Sequence, residues 1–175
     1  MTDTVEPELE IEVAYMPKEL PPELLKGNPT RIVDIYLSAE TELLSKLRLR
    51  QKGESYEFTK KVNLDPDDLS IQEEYNTPLS KAEFEILRSA GGREVVKDRY
   101  KVPLGEHIME IDIFREKLEG LIIIEVEFKN QAAKEAFAAP AYFGNEVTQE
   151  DFIAGTYLAG KSLDAIQADI DRVTA

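Results

Sequence analysis

The stretch Glu8-Leu9-Glu10-Ile11-Glu12-Val13-Ala14-Tyr15 alternates acidic and apolar residues near the start of the chain. Such alternation predicts a β-strand with its carboxylates on one face and its apolar side chains on the other. Side chains two positions apart on a strand lie roughly 7 Å from each other. Two ionised carboxylates at that spacing repel by about 2 kcal/mol at an effective dielectric constant of about 20, and by far less in open water. An enclosed acidic face therefore requires bound cations or positive side chains opposite it.

Length and composition favour one soluble globular domain over residues 1–175. Of the 175 residues, 42% are hydrophobic and 32% are charged, which is enough apolar material for a buried core. The formal net charge of −14 argues against general nucleic-acid binding, because nonspecific affinity for phosphate chains comes from an excess of lysine and arginine. The chain has no cysteine, so disulfides and thiolate metal sites are excluded.

No stretch has the character of a targeting or membrane segment. The amino terminus is acidic and lacks the basic and apolar regions of a signal peptide. The most apolar run, residues 121–124, meets Glu125 after four residues and is far too short for a membrane span. We therefore expect a cytoplasmic protein with no membrane partner. The sequence leaves open whether two copies form a homodimer.

The order of elements is rich in strands. Strands are predicted at residues 8–15, 31–37, 46–52, 56–62, 71–75, 94–102, 108–114 and 121–128. Asn76 and Pro78 are expected to end the fifth strand, and a capping box from Ser80 to Glu83 predicts that a helix follows. Asn130 and Thr148 are each expected to cap a short helix. Residues 162–173 predict a terminal amphipathic helix that packs on the domain. This order favours an α+β domain built on an antiparallel sheet or barrel.

Alternation also sorts the charges of these strands onto one face, with apolar residues behind them. The charged faces contain Glu10 and Glu12; Lys46, Arg48, Arg50 and Lys52; Thr59 and Lys61; Lys97, Arg99 and Lys101; Glu110 and Asp112; and Glu125, Glu127 and Lys129. The ordinary explanation is a sheet with one solvated side. Against it, one strand carries four bases with no acid between them, in a chain with 35 acids and 21 bases. A surface of segregated sign suits a polyanion bound together with a divalent metal.

In their order along the chain, these motifs resemble the CYTH superfamily, or triphosphate tunnel metalloenzymes, over roughly residues 8–160. Glu10-Ile11-Glu12-Val13-Ala14 is similar to that family's Glu-x-Glu-x-Lys signature. The other matching segments are Leu47-Arg48-Leu49-Arg50, Thr59-Lys60-Lys61, Arg99-Tyr100, Glu110-Ile111-Asp112-Ile113-Phe114, Gly120-Leu121, Glu125-Val126-Glu127 and residues 144–148 (GNEVT).

The resemblance implies a closed antiparallel barrel of about eight strands, with helices packed outside and a charged interior that binds a triphosphate group with Mg²⁺ or Mn²⁺. It implies metal ligands at Glu10, Glu12, Glu125, Glu127 and Asp112. It implies phosphate-binding residues at Arg48, Arg50, Lys61 and Arg99, which with Glu10 and Glu12 form the expected catalytic set. Further substrate-binding charge is expected from Lys46, Lys97 and Lys101.

The chain departs from the family pattern at positions that reduce its positive charge. Ala14 replaces the signature lysine, and residues 72–76 (QEEYN) keep only Glu74 of an Arg-x-Glu-x-Glu segment. A basic residue expected shortly after Thr148 is also missing. Two interpretations follow: a metal-dependent triphosphatase with retuned activity, or a degenerate tunnel that binds a phosphorylated ligand with little or no turnover. Adenylate cyclase activity has less support, because nothing in the sequence identifies an adenine pocket.

Overall fold

The computed structural model describes residues 6–37 and 47–174. Within these two segments, nine strands form one antiparallel sheet. They are β1 (Glu8–Met16), β2 (Thr30–Tyr36), β3 (Leu47–Lys52), β4 (Ser55–Asp65), β5 (Asp68–Leu79), β6 (Arg93–Leu104), β7 (His107–Phe114), β8 (Ile122–Glu127) and β9 (Asn145–Glu146). The helices are α1 (Lys81–Arg88), α2 (Gln131–Glu135), α3 (Gly155–Leu158) and α4 (Leu163–Thr174). Among the described residues, no helix combines the length and the apolar character needed to cross a membrane.

The sheet closes on itself. Its strand order is β5-β4-β3-β2-β6-β7-β8-β1, and β1 also pairs with β5, so that eight strands form a barrel. The short β9 pairs with the end of β1 at Tyr15 and Met16. Closure confirms the predicted α+β barrel and removes the exposed edges of an open sheet.

Strand register places the charged faces inside the barrel. Directly paired residues share a face of the sheet, and Arg50 lies opposite Asp34, Glu12 opposite Glu127, and Arg99 opposite Asp112. The alternating apolar residues consequently face outward. The alternative of a sheet with one solvated polar side is therefore wrong for this chain.

The hydrophobic core lies outside the barrel wall and at one end of the barrel. Ile11, Val13, Ile111 and Ile124 form part of an outer cluster with Phe128 and Phe143. In another cluster, Phe84 of α1 packs against Ile35 and Leu49. The third closes the barrel end and contains Tyr36, Val95, Phe114, Ile123, Phe152, Leu158 and Ile166. Residues 162–173, expected to form a packed amphipathic helix, correspond to α4, whose Ile166 is fully buried.

Two sequence-based expectations about local structure are wrong. β5 does not end at Tyr75 but continues through Asn76 and Pro78 to Leu79. It pairs with β1 only as far as Glu74, so Pro78 lies on a free edge, where proline is tolerated. Thr148 does not cap a helix. Its Oγ1 accepts a hydrogen bond from the Ala14 amide at 3.0 Å and so ties the later chain to β1. Asn130 caps α2 as expected.

Candidate active site

Arg50 is held rigidly by an acid that sequence analysis did not single out. Its Nε and Nη2 donate to the two oxygens of Asp34 at 2.7 and 2.8 Å. Burial raises the pKa of Asp34, which is 2% exposed, but Arg50 and Arg48 outweigh burial and hold this pKa below its usual value. The available signal was a lone acid in the apolar strand Arg31-Ile32-Val33-Asp34-Ile35. Asp34 thus fixes the guanidinium of Arg50 in the tunnel wall.

Arg48 keeps donor capacity for a ligand. Its Nη2 donates to Glu74 at 3.1 Å, while its Nε lies 3.9 Å from Asp34. This Nε is buried and has no hydrogen-bond partner among the described residues. A buried donor without a partner costs about 1–3 kcal/mol. An anion that accepts from Arg48 would recover part of that cost.

Lys61 lies among three carboxylates. It contacts Glu10, approaches Glu74 at 3.1 Å and lies 3.8 Å from Glu12. Burial lowers the pKa of Lys61, but the surrounding carboxylates more than reverse this and raise it. Burial also raises the pKa of Glu74, yet Lys61 and Arg48 bring it down to about 2. For Glu10, burial dominates and its pKa is raised. Lys61 and Arg48 therefore share Glu74 as a common counter-ion.

A second ionic cluster surrounds Arg99. Its Nε and Nη2 donate to Asp112 at 2.6 and 2.5 Å, and Nη2 also reaches Glu125 at 2.5 Å. Arg99 contacts Glu110 as well, and Lys97 contacts Asp112. Burial raises the pKa of Asp112, but Arg99 and Lys97 prevail and keep it below its usual value. Both oxygens of Asp112 are thus engaged by cations. Among the expected metal ligands, it is the one whose surroundings favour metal binding least.

The remaining expected ligands have the chemistry of a Mg²⁺ or Mn²⁺ site, since both ions prefer oxygen donors. Glu12 pairs directly with Glu127, and burial raises the pKa of both Glu125 and Glu127. Within residues 6–37 and 47–174, no three potential ligands converge closely enough to hold an ion as they stand. Arg99 and Lys61 occupy the space between the acids. The donor set therefore fits a divalent metal, provided that these two cations give up part of their contact with it.

The tunnel contains a cavity of about 330 Å³ towards its closed end. Several expected site residues line it together: Glu12, Arg48, Lys61, Lys97 and Glu125. Ala14 lines the same cavity opposite Glu125, where the family signature has lysine. Apolar side chains, including Val95, Phe114 and Leu158, line the rest. This end of the tunnel joins a charged wall to an apolar cap.

Of the remaining expected site residues, Glu10, Arg50, Arg99 and Asp112 lie in the ionic clusters described above, whereas Lys101 and Glu127 do not share their burial. Lys101 pairs with Glu110 at 2.6 Å, but 52% of its side chain is exposed. Glu127 is also exposed. Lys46 falls outside the described residues. The structure thus brings most of the expected site residues together in the tunnel and leaves Lys101 and Glu127 exposed.

The closed barrel with inward arginines, lysines and carboxylates defines a tunnel protein with a charged interior. No family model matches the chain. It is 38% identical over 144 residues to an inorganic triphosphatase of Nitrosomonas europaea, a match that covers 81% of this chain and 90% of that protein. The crystal structure of an inorganic triphosphatase matches at 31% identity with a TM-score of 0.60, covering 86% of this chain and 93% of that one. The chain belongs to the CYTH superfamily.

The fold extends to more distant structures. A putative adenylate cyclase from Bacillus halodurans matches with a TM-score of 0.56 at 18% identity, covering 93% of this chain and 98% of that one. At that identity, the likeness concerns the fold alone.

Proposed function

We propose that this protein hydrolyses a phosphoanhydride bond of inorganic triphosphate, or of another small molecule with a triphosphate group, with the help of Mg²⁺ or Mn²⁺. The observation that carries the proposal is that buried Arg48 and Arg50 and half-buried Lys61 lie beside carboxylates in a closed tunnel. The 38% identity to an inorganic triphosphatase supports the choice of substrate. The proposed location is the cytoplasm, with which the lack of cysteine is compatible.

The basic side chains of this tunnel differ in the role we assign to them. Arg50 is a fixed positive charge, because Asp34 already engages it through two hydrogen bonds. Arg48 presents its unpartnered Nε, and Lys61 presents a compact ammonium group that can exchange one of its carboxylates for a phosphate oxygen. Arg48 and Lys61 are therefore the principal phosphate-binding residues in this proposal, with Arg99 and Lys97 beside them.

The acidic side chains would hold the metal. Glu10, Glu12, Glu125 and Glu127 are the proposed ligands, and Asp112 stays with Arg99 and Lys97. A bound metal ion neutralises phosphate charge and can lower the pKa of an attacking water. With these acids committed to a metal, Lys61 and Arg99 would lose their contacts with Glu10 and Glu125 and would be available to the phosphates. In this proposal, the same acids pair with Arg99 and Lys61 when the tunnel is empty and bind the metal when substrate is present.

A second candidate is a tunnel that binds a phosphorylated ligand with little turnover. Ala14 favours it, since a lysine at this position would extend an ammonium group into the cavity beside Glu125. Removal of one positioned donor costs on the order of 10² to 10³ in rate. With alanine at position 14, we therefore expect a slow enzyme.

Phosphate release from inorganic triphosphate, with Mg²⁺ or Mn²⁺ present, tests the proposal. We expect activity in the wild-type protein and its near-complete loss in the Glu10→Gln/Glu12→Gln double variant. The matched control is Glu23→Gln/Glu85→Gln, which removes two exposed acids outside the tunnel and should leave the rate unchanged. An unchanged rate in the Glu10→Gln/Glu12→Gln variant rejects the metal-ligand assignment. A triphosphate-induced rise in Tm without phosphate release would favour the second candidate.

A further inference from the structure

A second groove, of about 330 Å³, lies beside the closed end of the tunnel. It is formed by the start of β6, the turn that follows β7, and the connection between α3 and α4. Its basic lining residues are Arg93, Arg115, Lys117 and Lys161. The groove shares Val95 with the lining of the tunnel cavity, but none of the assigned tunnel residues lines it.

Most of the positive charge in the groove is not neutralised locally. Arg115 pairs with Asp98 at 2.7 Å. Within the part of the chain that the structure describes, Arg93, Lys117 and Lys161 form no ion pair. The acidic lining residues are Glu94, which is bound to Arg88 at 3.0 Å, and Glu116. In a protein with a net charge of −14, this groove is therefore a local site of positive potential.

Arg93 and Lys161 are held in place before any ligand arrives. The Nε of Arg93 is buried and has no hydrogen-bond partner among the described residues. The side chain of Arg93 packs against Gly160, where an added Cβ would lie 3.2 Å from its Cδ. The ammonium group of Lys161 lies over the ring of Tyr157, whose hydroxyl donates to Asp169 at 2.9 Å. A buried donor without a protein acceptor, beside a fixed positive charge, suits the oxygens of an anion.

We propose that this groove binds a phosphate-class oxyanion, either free inorganic phosphate or the phosphate of a small phosphomonoester. The guanidinium of Arg93 would donate to its oxygens, and Lys117 and Lys161 would neutralise its charge. Lys161 follows α3, which closes the tunnel, whereas Arg93 and Lys117 belong to the barrel and its loops. A bound oxyanion would thus tie the closing segment to β6. The inference does not depend on hydrolysis in the tunnel.

Calorimetric titration of metal-free protein with inorganic phosphate tests the groove. The tunnel variant Arg48→Gln/Lys61→Gln removes the competing phosphate site in the tunnel. This variant protein should still bind phosphate in the groove. Adding Arg93→Gln/Lys161→Gln to this variant should weaken binding at least about tenfold. The charge-matched control adds Lys26→Gln/Lys81→Gln instead, at two exposed lysines away from the groove, and should bind as the tunnel variant does. Glycerol phosphate serves as the second probe. Tighter binding of this ester than of inorganic phosphate would identify a phosphomonoester as the ligand of the groove.

The possible failures are distinct. If the tunnel variant binds no phosphate, or if the groove substitutions change its affinity no more than the lysine control does, the proposed site is wrong. Because Arg93 packs against Gly160, the single substitution Lys117→Gln provides an independent check at an exposed side chain. Added to the tunnel variant, Lys117→Gln should weaken phosphate binding severalfold without lowering Tm in the absence of phosphate. No effect of Lys117→Gln on affinity would also contradict the site. Loss of triphosphatase activity in the tunnel variant tests the proposed function separately.

Discussion

Ala14 is the interior residue that most alters the chemistry expected of this tunnel. It lies opposite Glu125, lines the cavity, and is 5% exposed. Its amide donates to Thr148, so the backbone at this position is fixed. A longer side chain here would extend into the existing cavity rather than into the packed barrel wall.

We expect Ala14→Lys to increase the rate of triphosphate hydrolysis at least about tenfold, because it restores one positioned cationic donor beside Glu125. Steady-state phosphate release with Mg²⁺ or Mn²⁺ measures the effect. Ala14→Met is the matched control, since it adds a side chain of similar length without charge and should not raise the rate. Equal rates in the wild-type protein and Ala14→Lys would show that Ala14 does not limit this tunnel.

Glu74 should make the stability of the protein depend on acid pH. Its pKa falls from the ordinary 4.5 to about 2 in the folded protein, because Lys61 and Arg48 outweigh the effect of burial. The folded state therefore binds fewer protons than the unfolded state between these values. The stabilisation by Glu74 is complete above the unfolded-state pKa and is lost as pH falls towards about 2.

Urea unfolding of wild type and Glu74→Gln at a series of pH values tests this dependence. We expect the variant to be less stable by about 2 kcal/mol near neutral pH, with the difference shrinking as pH falls below the ordinary carboxylate range. The comparison of two proteins at each pH cancels the titration of acids remote from Glu74, and Glu10, which shares Lys61 with it, is the acid whose titration the substitution also changes. A difference in unfolding free energy that stays constant with pH would contradict the assigned role of Glu74.

At the scale of elements, α3 and the turn before it close one end of the barrel. Gly155 begins α3 and packs against Tyr36, with an added Cβ at 1.8 Å from the Tyr36 hydroxyl oxygen. Tyr36 is paired across the sheet with Arg48. The ring of Tyr36 thus links the position of the closing segment to Arg48, a proposed phosphate-binding residue.

Gly155→Ala should therefore lower stability by about 1–3 kcal/mol and raise KM for triphosphate, because Tyr36 must move away from the added methyl group. Thermal unfolding and steady-state kinetics measure the two effects. Gly105→Ala is the control. Its φ of +61° gives a backbone cost of about 1–2 kcal/mol, but its Cβ would meet nothing within 4 Å, so KM should not change. A KM for Gly155→Ala equal to that of wild type would show that closure does not position Arg48.

The strands were predictable from the sequence because alternation is a local property. The pattern at residues 8–15 and the basic face at Arg48 and Arg50 required only neighbours within each strand. The partners that complete the site are remote in sequence. The Ala14 amide meets Thr148 from 134 residues away, and the amide of Leu69 donates to Gln149 across 80 residues. Asp34 was missed for the same reason, since one acid in an apolar strand does not reveal its cross-strand partner.

For the molecule as a whole, the tunnel is an inverted barrel whose polar interior is balanced in charge. Among the described residues, the inward bases include Arg48, Arg50, Lys52, Lys61, Lys97, Arg99 and Lys101, and the inward acids include Glu10, Glu12, Asp34, Glu74, Glu110, Asp112, Glu125 and Glu127. The acids slightly outnumber the bases. A triphosphate that enters alone therefore meets little net positive charge, and a metal ion that enters alone finds its acids occupied by Arg99 and Lys61.

Metal and triphosphate should consequently bind with positive coupling. We expect triphosphate to bind at least about tenfold more tightly with Mg²⁺ or Mn²⁺ than in EDTA, and the metal to gain the same factor from triphosphate, because binding linkage is reciprocal. Calorimetric titration in both orders, with correction for the metal–triphosphate complex in solution, measures the two factors. Arg48→Gln should weaken triphosphate binding and leave the binding of metal alone nearly unchanged, since Arg48 contacts Glu74 rather than the proposed metal ligands. Equal triphosphate affinity with and without metal would mean that the bases of the tunnel suffice, and that its acids serve only to hold those bases in place.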